Sequence, residues 1–137
     1  MHAPPRNITV SNCIIAESLT DTTPSRDSRS WGAVADTNSS NIAILGNLFA
    51  HNNQANPGFK ANTAGVVANN LIYNAGRAAI QVDSAADAAG RPARNARVSV
   101  AGNLLLYGPN TSEGLALISR KGDIWLGENL AYDLSGT

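Results

Sequence analysis

Residues 39–76, SSNIAILGNLFAHNNQANPGFKANTAGVVANNLIYNAG, state one short pattern twice. Each statement alternates apolar residues, passes a small residue and an Asn, and resumes as an apolar run: Ile42-Ala43-Ile44-Leu45-Gly46-Asn47-Leu48-Phe49, then Val66-Val67-Ala68-Asn69-Asn70-Leu71-Ile72-Tyr73. The same sentence recurs over residues 8–15 (ITVSNCII), 98–105 (VSVAGNLL) and 124–131 (IWLGENLA). Its pivot is held in turn by Cys13, Asn47, Asn70, Asn103 and Asn129. Successive pivots lie roughly 23 to 34 residues apart, the period of stacked repeats rather than of independent strands. Each unit therefore reads as one coil of an all-β solenoid.

A strand that bends sharply into the next without a hairpin needs a residue that tolerates a left-handed backbone, and Asn is the best candidate after Gly. Stacked at one place in successive coils, Asn amides can hydrogen-bond along the stack and stay satisfied although buried. Cys13 reads as a small occupant of the same seat. The alternation predicts Ile42, Ile44, Leu48, Val67, Leu71, Val98, Val100, Leu104, Ile124 and Leu130, or their immediate neighbours, as inward-facing.

A third strand per coil is expected within residues 31–36 (WGAVAD), around 57–61, at 78–83 (AAIQVD) and at 114–119 (GLALIS), giving three parallel sheets and about four to five coils. The polar run 18–30 reads as a projecting loop, as does 83–97, where Gly90 and Pro92 break any helix. Residues 109–113 make a smaller one. The whole of 1–137 reads as a single β-helix domain. No capping helix is visible at either end, so the strand edges there are expected to be open. That pattern suits a piece of a longer solenoid, or a protein that covers its ends by association with further copies.

Ten Lys and Arg balance ten Asp and Glu, and no basic run exists, so nothing favours nucleic acid or an anionic membrane. No apolar stretch reaches membrane-spanning length, and the opening MHAPPR carries no secretion signal. One Cys and two His make neither a disulfide nor a structural zinc site. No nucleophile triad, phosphate loop or dinucleotide fingerprint occurs. His51 is the one interior His, and a lone His is more often structural than a base or ligand. The carboxylates Glu17, Asp21, Asp27, Asp36 and Asp83 are scattered, and spacing pairs none of them for acid and base work. The residues by themselves support a β-solenoid with side loops.

The segments GNLFAHNNQANPGF and NNLIYNAG, with NITVSNCIIAESL before them and Trp31-Gly32 between, resemble the pectate lyases and their relatives. These are right-handed parallel β-helix polysaccharide lyases. The likeness covers residues 7 to 76, and repeat character alone continues to 137. It implies a right-handed helix, an extracellular setting, and acidic polysaccharide such as pectate as the partner. It also implies calcium as the family's cofactor, although none is expected in this chain, because the family's calcium-binding Asp residues belong to coils preceding the one that begins it.

The family's Arg-x-Pro-x-x-Arg motif, which carries the catalytic base and a substrate-binding Arg, falls on Ala55, Pro57 and Lys60. Ala cannot take a proton, and Lys keeps a charge for a uronate carboxylate without the bidentate fork. The resemblance therefore implies a degenerate or partial lyase that binds acidic polysaccharide through Lys60, Arg26, Arg29, Arg77 and His51, with its catalytic residues unassigned and no metal ligands of its own. Two alternatives stand beside it. One is an active lyase or hydrolase using Lys60, His51 or Arg77, and the other is a non-catalytic structural or assembly solenoid.

Overall fold

The computed structural model describes residues 3–19, 30–84 and 94–133. Arg26, Arg29, Asp21 and Asp27 lie outside the described residues, as do most of the two expected projecting loops. Fourteen strands follow in chain order: β1 (Arg6–Ser11), β2 (Ile14–Ala16), β3 (Val34–Ala35), β4 (Ser40–Leu45), β5 (Leu48–Ala50), β6 (Gly58–Phe59), β7 (Ala64–Ala68), β8 (Leu71–Tyr73), β9 (Ile80–Val82), β10 (Arg97–Ala101), β11 (Leu104–Leu106), β12 (Ile118–Arg120), β13 (Asp123–Gly127) and β14 (Leu130–Tyr132). No helix occurs among the described residues.

Each strand pairs with the strand three places along the chain. The first sheet runs β1-β4-β7-β10-β13, the second β2-β5-β8-β11-β14 and the third β3-β6-β9-β12. Every pairing is parallel. Three parallel sheets wound in this order form a parallel β-solenoid of four three-strand coils and a final pair of strands.

Inside, like residues stack on like. Ile44, Val67 and Val100 form one register column, Phe49, Ile72 and Leu105 a second, and Phe59 and Val82 a third. All are buried and belong to one core. Burying each such side chain stabilises the fold by about 1.5–3 kcal/mol relative to leaving it in water.

Three of the five strands of the second sheet, each three residues long, have a left-handed residue at both ends. β5 is bracketed by Gly46 (φ 61) and His51 (φ 57), and β8 by Asn69 (φ 56) and Asn74 (φ 52). β2 is bracketed in the same way by Asn12 (φ 53) and Glu17 (φ 54). A positive φ ends the extended run and turns the chain without a hairpin.

The Asn column exists and is continuous. The N–H and Nδ2 of Asn47 both donate to Asn70 Oδ1, at 2.9 and 3.1 Å, while Nδ2 also donates to the Val10 carbonyl at 2.9 Å. Asn70 repeats this on Asn103 Oδ1 (3.0 and 2.9 Å) and on the Ile44 carbonyl (2.9 Å). Asn103 repeats it on Asn129 Oδ1 (both 3.0 Å) and on the Val67 carbonyl (2.9 Å). The Cys13 N–H closes the series on Asn47 Oδ1 at 3.0 Å.

Two expectations about this bend are corrected. The left-handed residue is not the pivot but the one before it: Asn12, Gly46, Asn69, Gly102 and Glu128 all have positive φ. The pivot Asn instead points inward, so alternation sends the next residue outward. Leu48, Leu71 and Leu104 are therefore only half-buried, and Phe49, Ile72 and Leu105, at 0% exposure, fill the core instead. Leu130 is 55% exposed on the last strand for the same reason. Cys13 is exposed, because no coil among the described residues lies over it. Ile42, Ile44, Val67, Val98 and Val100 face inward as expected, and Ile124 packs partly buried against them.

Candidate functional site

The third sheet is the irregular one. Its strands are two or three residues long, and residues on and beside them line a groove of about 160 Å3. Trp31, Val34, Gln54, Ala55, Gly58, Phe59, Lys60, Gln81 and Asp83 line it. Trp31 is held by a parallel bridge to Gln54 and keeps 39% of its surface exposed, an aromatic face at the rim.

Lys60 and Asp36 leave adjacent strands at the same level, one residue past the registered pair Ala35 and Phe59. Lys60 Nζ donates to Asp36 Oδ1 at 2.8 Å, and the Thr37 N–H reaches the same oxygen at 2.8 Å. The Lys60 hydrogen bond, helped by that N–H, holds the Asp36 carboxyl below its ordinary value of 3.8. Both side chains remain open to water, at 44% and 69% exposure, so the pair can exchange partners.

Ala55, at the position where the resemblance would put a base, is 4% exposed and left-handed (φ 56). Its N–H donates to Gln81 Oε1 at 2.8 Å, which fixes the Gln81 amide across the groove floor.

A second cleft, of about 250 Å3, opens at the bend after β5 and β8. His51, Asn52, Asn53, Asn74, Gly76, Arg77 and Asn110 line it. Asn74 Oδ1 accepts the Asn110 N–H at 2.8 Å, which leaves its Nδ2 facing His51 Nδ1 at 2.9 Å. An amide nitrogen can only donate, so Nδ1 of a neutral His51 accepts and Nε2 carries the proton. The His51 ring stands edge-on to Tyr73, with centroids 5.3 Å apart. Arg77 is exposed at the mouth, its backbone N–H tied to the Asn53 carbonyl at 2.7 Å.

Of the residues expected to bind substrate, His51 and Arg77 thus share one cleft and Lys60 lies in the other. The two clefts adjoin at Asn53 and Gln54, consecutive in the chain. Gln54, Gln81, Asn74 and Asn110 escaped sequence reasoning. The signal for them is positional: His51 and Asn74 follow β5 and β8 at the same point of successive coils, and only the stacking makes that visible. Glu17 occupies the equivalent position after β2.

Among the described residues no three His, Cys, Asp or Glu side chains gather closely enough to hold a metal ion, so these residues lack the carboxylate cluster that the calcium implied by the resemblance would need. No family model, curated protein or solved structure matches the chain.

Proposed function

We propose that this protein is a right-handed, pectate lyase-like β-helix that holds an acidic polysaccharide across its third sheet without cleaving it. One observation carries the reading. A flexible cation, Lys60, and an exposed aromatic, Trp31, flank a groove whose floor is set by amides, while the position for a base is a buried alanine. Exposed aromatic faces and fixed amides suit sugar rings and hydroxyls, and the Lys60 ammonium suits a uronate carboxylate that displaces Asp36. Eliminative cleavage needs, in addition, a group that removes the proton beside that carboxylate, and Ala55 offers none. The right hand is supported by the strong preference of parallel strand crossovers for that sense. An acidic cell-wall glycan as ligand sets the protein outside the cell.

Titration with polygalacturonate tests the reading. Lys60→Gln is expected to weaken binding about tenfold, and Asp36→Asn, which frees Lys60, to strengthen it severalfold. The ultraviolet absorbance of an unsaturated product should stay flat with or without calcium. Unchanged affinity in Lys60→Gln, or steady product formation, overturns it.

The assembly reading has its own observation. Outside the second sheet, Ile14, Leu48, Leu71, Leu104 and Leu130 form one register column, and Ala16, Ala50, Tyr73, Leu106 and Tyr132 a second. Ile14 is 77% exposed, and neither column carries a charge. A parallel sheet apolar on both faces ordinarily has both covered, and an uncharged face is compatible with itself across a two-fold axis. The occupant expected here is a second copy of this chain. Sedimentation should show concentration-dependent dimers that Leu71→Lys abolishes; a monomer at all concentrations removes this reading.

A further inference from the structure

The cleft at the second bend is built for an anion, although no charge pair or metal explains its construction. Among the described residues, Arg77 is the only charged one that lines it, and no carboxylate does. His51 is locked by the Asn110–Asn74–His51 chain of hydrogen bonds into the tautomer whose free edge donates. That chain has one polarity only: the Asn110 N–H fixes Asn74 Oδ1, Asn74 Nδ2 therefore fixes His51 Nδ1 as acceptor, and Nε2 is left as a donor. Space is preserved in the same economy. A Cβ at Gly76 would stand 2.3 Å from Asn53 Oδ1, so a side chain there would drive the Asn53 amide into the cleft.

We infer that this cleft is an oxyanion subsite, in which the planar Arg77 fork and the His51 Nε2–H take the charged group of a sugar, either a carboxylate or a sulfate half-ester. A guanidinium matches two oxygens of such a group at once, and a second donor set by the backbone fixes its orientation. The inference rests on the polysaccharide reading and deepens it. Because Asn53 of this cleft and Gln54 of the Lys60 groove are consecutive, one oligosaccharide crossing the bend would meet two cationic contacts rather than one. Asn74 is a positioning residue: it touches no ligand and acts by holding the His51 tautomer.

The experiment uses the full chain with three probes, trigalacturonate, a sulfated galactan trisaccharide and neutral galactotriose, read by calorimetry and by the His51 ring resonances in nitrogen-correlated NMR. Arg77→Gln should weaken whichever anionic probe binds by tenfold or more, leave galactotriose unaffected, and lower the salt dependence of binding. Arg77→Lys should recover only part of the loss, since it restores charge without the fork. The wild-type His51 Nε2–H resonance should shift on adding the anionic probe, and Asn74→Asp should blunt that shift while circular dichroism stays unchanged. The preferred anionic probe decides between carboxylate and sulfate as the source.

If Lys60→Gln weakens binding and Arg77→Gln does not, the subsite is wrong and the polysaccharide reading stands. If wild-type protein binds none of the three probes, both fall. A His51 resonance that does not move while the anionic probe binds also overturns the subsite.

Discussion

The two bends flanking β2, β5 and β8 start from the same device and end differently. At the first, a left-handed residue precedes the pivot in all five repeats of the pattern, and four consecutive Asn side chains bind one another through the stack. At the second, left-handed Glu17, His51 and Asn74 precede Ser18, Asn52 and Ala75. Asn52 there copies the first bend: its Oδ1 accepts the Ser18 N–H at 3.1 Å and its Nδ2 donates to the Ile15 carbonyl at 2.9 Å. One coil later the inward seat is Ala75, which has no amide, and the ladder stops. Where it stops, residues from the next coil take over, with Asn110 bonding Asn74 and Ser112 bonding the Gly76 carbonyl. The regular bend fixes the spacing of the coils; the interrupted one leaves polar groups facing outward, and the anion cleft is made from them. Functional sites are expected where local regularity is broken.

The largest effect should come from attacking the regular bend. Asn70→Leu removes the acceptor of Asn47 and the donor to the Ile44 carbonyl, both buried from water. Two buried polar groups left unmet cost about 1–3 kcal/mol each, so a loss of about 3 kcal/mol is expected in denaturant titrations. Asn52→Leu should cost less, about 1–2 kcal/mol, because two of its three partners, Ser18 and Ile15, are half-exposed and water can replace the amide there, leaving the buried Asn56 Oδ1 as the one group unmet. Equal losses at the two positions would break the comparison, since they would mean that ladder length carries no stability.

A smaller effect sharpens it from the groove side. The Asp36–Lys60 pair is exposed, and Asp36→Asn should change stability by less than about 1 kcal/mol. Because the folded carboxyl titrates below its ordinary 3.8, the pair's contribution is complete above that value and is lost as pH falls through the lower folded value. Asp36→Asn should flatten that acid limb of the stability curve and leave neutral-pH stability almost unchanged. A large neutral-pH loss would make the third sheet a structural element rather than a groove with an exchangeable ion pair.

Much of the repeat was legible because each coil repeats the same local demands. A pivot Asn must be followed by an apolar run, and that pairing recurs four times in the sequence. The facing of the second-sheet strands was not legible, since whether Asn47 points in or out decides the side on which Leu48 and Phe49 fall, and alternation alone fits both. The left-handed position was misplaced by one residue for a related reason. Asn12 and Asn69 beside the pivots are as tolerant of positive φ as the pivots themselves, and only Gly46 and Gly102 point to the right seat. At Gly102 the requirement is double, for φ is +65 and a Cβ would stand 2.3 Å from Asn69 Oδ1.

The sequence by itself determined the period, the all-β character and the parallel stacking, because these follow from backbone tolerance and apolar alternation within a single coil. Tertiary structure decided which residues meet. His51 and Arg77 lie on successive coils, and coils of unequal length, 34, 23, 33 and 26 residues from pivot to pivot, bring different distances of chain into register. Lateral neighbours in a solenoid are set by where each excursion rejoins the stack. That depends on the ladder holding the bends in line, a cooperative property that no single stretch of chain encodes.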